Sequence, residues 1–165
     1  GRSVRAELVP ALVCAVDGAV VAALVDDSDG PRSAARATLI DVIDVLAKHE
    51  IDIKALALAD MADFGILRLI VDDPDRTRGV LKEAGFTVDK TRVVAVEVPD
   101  RPGGLRDTLH ALRRSGINVE YMYAFVEKRA DNAVVIFRFD EAEKAIATLQ
   151  KAGVAILPGE KVYAL

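Results

Sequence analysis

The 165-residue sequence has a single cysteine, two histidines and no tryptophan. One cysteine excludes a disulfide within the chain and a cluster of thiolate metal ligands, and it is typical of proteins from a reducing compartment. Two histidines are too few for a zinc site without thiolates. We therefore expect a cytoplasmic protein that holds neither a metal ion nor a cofactor.

An excess of positive charge and a long hydrophobic run are also missing. The chain has 22 Lys and Arg against 26 Asp and Glu, a net charge of −4 and a pI near 5.2. Without clustered cations, no nucleic acid is expected as a partner. The most apolar stretch, 8–25, is interrupted by Pro10 and Asp17, so it predicts neither a membrane span nor a secretory signal.

The sequence consists of two similar halves. Residues 50–57 (EIDIKALA) align with 116–123 (GINVEYMY) at an offset of 66, and 82–86 (KEAGF) align with 150–154 (QKAGV) at an offset of 68. The two additional residues of the second half predict a longer turn, which we assign to 128–132. A duplicated unit is therefore the basis of the fold prediction.

Each half alternates strand-like and helix-like segments. Apolar residues three and four positions apart predict a first helix from about Ser33 to His49, and an equivalent helix that ends at Gly116. The other predicted elements are strands at 20–25, 51–59, 66–71, 93–98, 117–126 and 133–139, helices at 74–85 and 141–152, and a closing strand after each second helix.

The order βαββαβ in each half is that of a ferredoxin-like unit, an antiparallel sheet with both helices on one face. The sequence therefore predicts an α+β protein with two such units side by side, 19–90 and 91–165, after an N-terminal extension, 1–18. Strand 117–126 is apolar on both faces, with Tyr121, Tyr123 and Phe125 on one of them. Because helices cover only one face, we expect a second protomer to cover the other, in a homodimer.

The segment 100–105 (DRPGGL) lies between a predicted strand and a predicted helix. Gly103 permits a tight turn, Gly104 permits close approach of a ligand, and the first-turn N–H groups from Leu105 onward favour an anion such as a carboxylate. The same residues also fit an ordinary turn without a ligand.

Polar residues near the start of the next strand could complete this site. Asn118 has an amide that both donates and accepts hydrogen bonds. Glu120 either recognises an ammonium group or forms an ion pair with Arg101 or Lys54. Asp100 precedes the loop and is a further candidate for an ammonium group.

The sequence resembles the ACT domain family, in particular small proteins made of two tandem ACT domains, over about 36–165. The segments that carry the resemblance are 53–60 (IKALALAD), 63–74 (DFGILRLIVDDP), 100–105 (DRPGGL) and 116–125 (GINVEYMYAF). It implies a regulatory, non-catalytic protein that binds an amino acid effector between a strand-to-helix loop of one domain and a strand of another. It also implies Asp100, Gly103, Gly104, Leu105 and Asn118 as ligand-binding residues, and an amino-acid metabolic enzyme as a partner.

The first half departs from this pattern. It has 27–32 (DSDGPR) in place of the loop sequence, seven more residues before the next strand, and Asp52 in place of Asn118. A negative charge there disfavours a ligand carboxylate. We therefore expect a standard site only in the second half.

Three functions remain open: an amino-acid-binding regulator, a ligand-independent interaction module, and a small enzyme on the ferredoxin-like fold, such as an acyl-phosphate hydrolase. Neither histidine has a nucleophile or a paired carboxylate at a catalytic spacing, which disfavours the enzyme. The clustered carboxylates of the first half are interpreted as turn and helix-cap residues rather than a cation site. On the regulator hypothesis, replacing Gly104 with a bulkier residue should abolish binding and leave the fold intact.

Overall fold

A computed structural model describes residues 15–24, 31–60, 65–129 and 131–163. The first half contains β1 (Ala15–Leu24), α1 (Pro31–Lys48), β2 (Ile53–Asp60), β3 (Gly65–Val71) and α2 (Pro74–Glu83). Strand β4 (Thr87–Pro99) follows, and the second half continues with α3 (Gly104–Arg114), β5 (Val119–Arg129), β6 (Asn132–Phe139), α4 (Ala142–Lys151), β7 (Ile156–Leu157) and α5 (Gly159–Tyr163). No helix of this part of the chain is long and apolar enough to cross a membrane.

The strands form an antiparallel sheet in the order β2-β3-β1-β4-β6-β5, with β7 also paired to β4. Strand β4 belongs to both units: residues 87–94 pair with β1, and 94–99 pair with β6. The predicted α+β architecture of two ferredoxin-like units is confirmed, and the long strand joins them. The predicted boundary between 90 and 91 falls inside this strand, and it stays a prediction, as does the extent of the N-terminal segment.

Besides the continuity of β4, two predicted elements differ from the structure. The first strand begins at Ala15 rather than at residue 20, and Val25 lies outside the described residues. The predicted long turn at 128–132 is wrong, because Lys128 and Arg129 continue β5 and pair with β6. The pairing register instead shifts between Ala124 and Lys128, so the two additional residues of the second half are absorbed within the strand.

Each unit has a core between its helices and one face of the sheet. Val42 and Leu46 of α1 pack with Leu67 and Leu69 of β3 in the first unit. In the second unit, Leu112 of α3 and Leu149 of α4 pack on Val96, Phe137 and Phe139. The apolar spacing that predicted the helices is thus the face that each helix buries.

Hydrogen bonds at equivalent positions preserve the duplication. The Asp72 carboxylate accepts from the backbone N–H of Asp52, and the Asp140 carboxylate accepts in the same way from Asn118, both at 3.2 Å. Next to Asp72, the Asp73 carboxylate accepts from the N–H of Arg76 and caps α2. The predicted turn and cap roles are therefore confirmed for Asp72 and Asp73. Of the other carboxylates in that predicted cluster, Asp75 pairs with Lys90, and the side chains of Asp60 and Asp63 lie outside the described residues.

The sheet faces that α1, α2, α3 and α4 leave uncovered pack against each other in a cluster that we call the seam. Strand alternation directs Ile70 and Ile136 to this side, while their neighbours Leu69 and Phe137 face the helices. The seam is formed by Ala55 and Ile70 of the first unit with Val93, Ala95, Phe125, Val134, Ile136, Leu157 and Val162. The chain itself therefore buries the face that was expected to need a second protomer.

Apart from Ile40 of α1, the large apolar side chains that stay exposed in the described residues lie on the other side of the two edge strands. Leu56 and Leu58 of β2 are 51 % and 45 % exposed, and Met122 of β5 is 42 % exposed. Their register partners Leu69, Leu67 and Phe137 belong to the helix-side cores, so these side chains face the helix side.

Tyr123, which packs against the seam, predicts that the free energy of unfolding depends on pH under alkaline conditions. Burial raises the pKa of the Tyr123 hydroxyl above its ordinary value, so the unfolded chain loses this proton first. We expect the free energy of unfolding to be unaffected by this group at neutral pH and to fall as the pH rises above about 10. Urea titrations from neutral to alkaline pH would measure it, and Tyr123→Phe should show a smaller decline. Equal declines in both proteins would contradict the prediction.

Candidate functional site

The loop between β4 and α3 ends in a helix start that lacks a side-chain cap. Gly103 has a left-handed φ of 89°, occupies the N-cap position and provides no side chain, in contrast to Asp73 at the start of α2. The N–H of Gly104 donates to the Arg101 carbonyl oxygen at 3.0 Å. The first-turn N–H groups of α3 therefore favour an acceptor from outside the helix, such as an anion.

The loop is held in place by short backbone contacts. The Asp100 N–H donates to the Asp131 carbonyl at 2.9 Å, which attaches the loop to the β5–β6 hairpin. The Asp107 carboxylate lies 3.0 Å from Arg106 and 3.4 Å from Arg101. Hydrogen bonding from Arg106 lowers the pKa of Asp107, so both cations beside the loop face an ionised partner.

Gly104 is buried against the end of β4. A Cβ at this position would lie 2.1 Å from the Pro99 carbonyl oxygen, and backbone atoms cannot move away as a flexible side chain can. The expectation that a bulkier residue at Gly104 leaves the fold intact is therefore wrong. Close packing of α3 on β4 requires this glycine whether or not a ligand binds.

The structure places Asn118 and Glu120 away from the loop. Asn118 is exposed, and its backbone groups pair with Asp140. The Glu120 carboxylate pairs with Arg138 at 3.2 Å, and not with Arg101 or Lys54 as the sequence suggested. Arg138 lies directly opposite Tyr121 in the pairing of β5 with β6, and Glu120 precedes Tyr121. The side chains of Glu120 and Arg138 are therefore neighbours on adjacent strands.

The candidate residues form two groups at opposite ends of α3. Asp100, Gly103, Gly104 and Leu105 lie at its start, whereas Asn118 follows its end. The helix has 11 residues, which corresponds to a length of about 16 Å at the α-helical rise. One amino acid cannot contact both groups of the same unit, so a site that uses both needs a second unit.

A shallow groove of about 410 Å³ lies on the outer face of α3 beside the loop. It is lined by Leu105, Arg106, Leu109, His110 and Arg113. The sequence analysis missed the two arginines of this groove, Arg106 and Arg113, although their spacing of seven residues puts them on one face of the helix. In the described ranges, no group of three or more His, Cys, Asp or Glu residues could hold a metal ion.

Comparison with known proteins identifies the family. The profile described as an ACT domain pair matches residues 33–160. A crystal structure of a protein from Bacteroides thetaiotaomicron is 35 % identical, with a TM-score of 0.77 over 92 % of this chain and 99 % of that one. The chain belongs to the ACT domain pair family.

Two more distant structures share the fold of this ACT domain pair. The regulatory subunit of aspartate kinase from Thermus flavus is 16 % identical, with a TM-score of 0.50 over 84 % of this chain and 95 % of that one. Aspartate kinase from Synechocystis is 19 % identical, with a TM-score of 0.56 over 87 % of this chain and 27 % of that one. No curated protein sequence matches the chain.

Proposed function

We propose that this ACT domain pair is a non-catalytic regulatory protein that binds an amino acid effector at the start of α3. The observation that carries the proposal is the fixed β4–α3 loop, which leaves the helix start without a side-chain cap. The effector carboxylate accepts hydrogen bonds from the first-turn N–H groups, and its side chain lies along the groove beside Leu105 and Leu109. An apolar effector suits those two side chains.

The position of Asn118 supports a homodimer in this proposal. Because the loop and Asn118 are at opposite ends of α3, a two-fold arrangement with antiparallel α3 helices brings the loop of one chain to Asn118 of the other. The exposed Met122 and the groove on α3 lie on the side of the sheet that such a contact would cover. The ligand then binds between two chains and favours their association.

The fold and the composition support a partner and a location for this protein. The fold is shared with a protein described as the regulatory subunit of aspartate kinase, which supports an amino-acid metabolic enzyme as the regulated partner. The single cysteine supports a cytoplasmic location. A ligand-independent interaction module is the second candidate, and the exposed Leu56, Leu58 and Met122 favour it.

The effector prediction is tested by unfolding the protein in the presence of each of the twenty amino acids. A ligand at one hundred times its dissociation constant should stabilise the folded protein by about 2.7 kcal/mol. We expect this increase for one chemical class of amino acid, together with a larger mass in solution. If no amino acid increases the stability of the folded protein, the interaction module is favoured.

Asn118→Ala tests the second half of the site. It removes an exposed amide and keeps both backbone hydrogen bonds to Asp140, so the fold should be preserved. We expect effector affinity to fall about tenfold, as for the loss of one or two hydrogen bonds. Asp52→Ala is the matched control in the first unit and should bind as the unchanged protein does. Equal affinities of all three proteins would remove Asn118 from the site.

A further inference from the structure

Three polar side chains meet beside the seam, far from the loop of the proposed effector site. Arg68 belongs to β3 of the first unit, and Tyr121 and Tyr123 belong to β5 of the second. The Arg68 guanidinium carbon lies 4.1 Å from the centre of the Tyr121 ring. The two tyrosine rings are stacked, with centres 6.3 Å apart and planes at 19°. We call these three residues the Arg68–tyrosine cluster.

The cluster has buried polar atoms that no described residue satisfies. The Arg68 Nε and the hydroxyl oxygens of Tyr121 and Tyr123 are inaccessible to solvent and have no hydrogen-bond partner in the described part of the chain. Other partly buried cations of this sheet differ: Arg138 pairs with Glu120, and Lys90 pairs with Asp75. Arg68 stacks on an aromatic ring, and none of the described carboxylates forms an ion pair with it.

The unsatisfied groups share one chemical property, because all of them can donate a hydrogen bond. A guanidinium is always protonated and only donates, and its planar fork matches the oxygens of a carboxylate or a phosphate. The neutral phenol hydroxyls also donate. The Glu120 carboxylate, on the same strand as the two tyrosines, is paired with Arg138. A half-buried guanidinium with an unpaired Nε and adjacent donors is complementary to a negatively charged acceptor.

We propose that the Arg68–tyrosine cluster binds a small oxyanion, a carboxylate or a phosphate, between the two ACT units. The Arg68 guanidinium and the hydroxyls of Tyr121 and Tyr123 donate to its oxygens. Because the donors come from β3 and from β5, the bound anion connects the first unit to the second. This site is independent of the effector site, since it uses neither the β4–α3 loop nor Asn118.

Intrinsic fluorescence measures the proposed site directly. The chain has no tryptophan and three tyrosines, and Tyr121, Tyr123 and Tyr163 all pack against the seam. Phosphate, sulfate and acetate should each be titrated into the protein, with chloride used to keep the ionic strength constant. We expect a saturable fluorescence change and a rise in melting temperature in the millimolar range. A response to acetate alone assigns a carboxylate, and a response to phosphate and sulfate alone assigns a tetrahedral anion.

Variants of the cluster separate an anion site from unsatisfied packing. Arg68→Gln should lower the affinity for the anion that gives a response at least about tenfold. The double variant Tyr121→Phe with Tyr123→Phe should lower this affinity by a similar factor. Without the anion, the double Phe variant should be as stable as the unchanged protein or more so, since it only removes two unpaired hydroxyls. Arg78→Gln is the matched control, because Arg78 has a buried, unpaired Nε on α2 outside the cluster.

Two results would overturn the proposal. The first is the absence of a saturable response to all three anions in the folded, unchanged protein. The second is a response that does not depend on the cluster, because the anion then binds elsewhere. Such a response would be retained in full by Arg68→Gln and the double Phe variant, or abolished equally by Arg78→Gln. Asn118→Ala should leave this response unchanged, so failure of the effector proposal and failure of this one are distinguishable.

Discussion

Replacing Phe125 with alanine should lower the free energy of unfolding by about 4 kcal/mol, the cost of truncating a buried phenylalanine. Phe125 is 7 % exposed, and it lies in the seam with Ala55 and Ile70 of the other unit. Urea unfolding followed by two probes measures the loss. We expect the loss of unfolding free energy to be the same at low and high protein concentration, because the seam is formed within one chain.

Met122→Ala is the control on the same strand. Met122 is 42 % exposed on the opposite face of β5, so its truncation should cost less than about 1 kcal/mol. A Phe125→Ala effect that grows or shrinks with protein concentration would show that a second chain covers this face. A loss for Phe125→Ala no larger than that for Met122→Ala would contradict the packing of the two units.

Gly104→Ala should destabilise the protein by about 3 kcal/mol, as in other cases where an added group overlaps a rigid neighbour. The added Cβ would lie 2.1 Å from the Pro99 carbonyl oxygen and 3.0 Å from its carbon. Strand β4 and α3 therefore have to separate. Urea unfolding measures the loss, and circular dichroism shows whether the helices are retained.

Gly79→Ala is the matched helical substitution for this experiment. A Cβ at Gly79, within α2, meets nothing within 4 Å. Alanine there should stabilise the protein by about 0.8 kcal/mol through its better helix propensity. Opposite signs for the two substitutions are expected. If Gly104→Ala were as stable as the unchanged protein, the close contact between α3 and Pro99 would be excluded.

Most elements of the fold could be predicted from the sequence, because their signals are local. Pro74 and the Asp73 cap mark the start of α2, and the apolar spacing of Leu105, Leu109 and Leu112 marks α3. The continuity of β4 was missed, although no glycine or proline interrupts 87–98. The closing strand of the first half and the strand at 93–98 were assigned to separate units, because the chain was divided according to the duplication. The lack of a turn between them was not considered.

The arrangement of the units could not be predicted in the same way. An alternating strand such as 117–126 shows that both faces are apolar, but it does not identify what covers each one. The second protomer expected on the Tyr121 and Phe125 face is replaced by β2 and β3 of the same chain. This contact depends on how the whole sheet curves, which no short sequence pattern encodes.

The candidate site was predicted in part for a similar reason. Residues 100–105 are contiguous, so the uncapped helix start could be inferred from Gly103 alone. The Glu120 partner is Arg138, which is 18 residues away and is determined by the register of β5 against β6. Arg68, Tyr121 and Tyr123 come from different halves, and only the folded chain brings them together.

Strand β4 limits the motions by which one unit can influence the other. Hinges are short loop segments whose backbone angles change freely, whereas residues 87–99 are hydrogen-bonded to β1 and then to β6. The units therefore cannot swing about a linker without breaking a sheet. A change in the orientation of the units would therefore require a twist of this strand and a sliding of the seam.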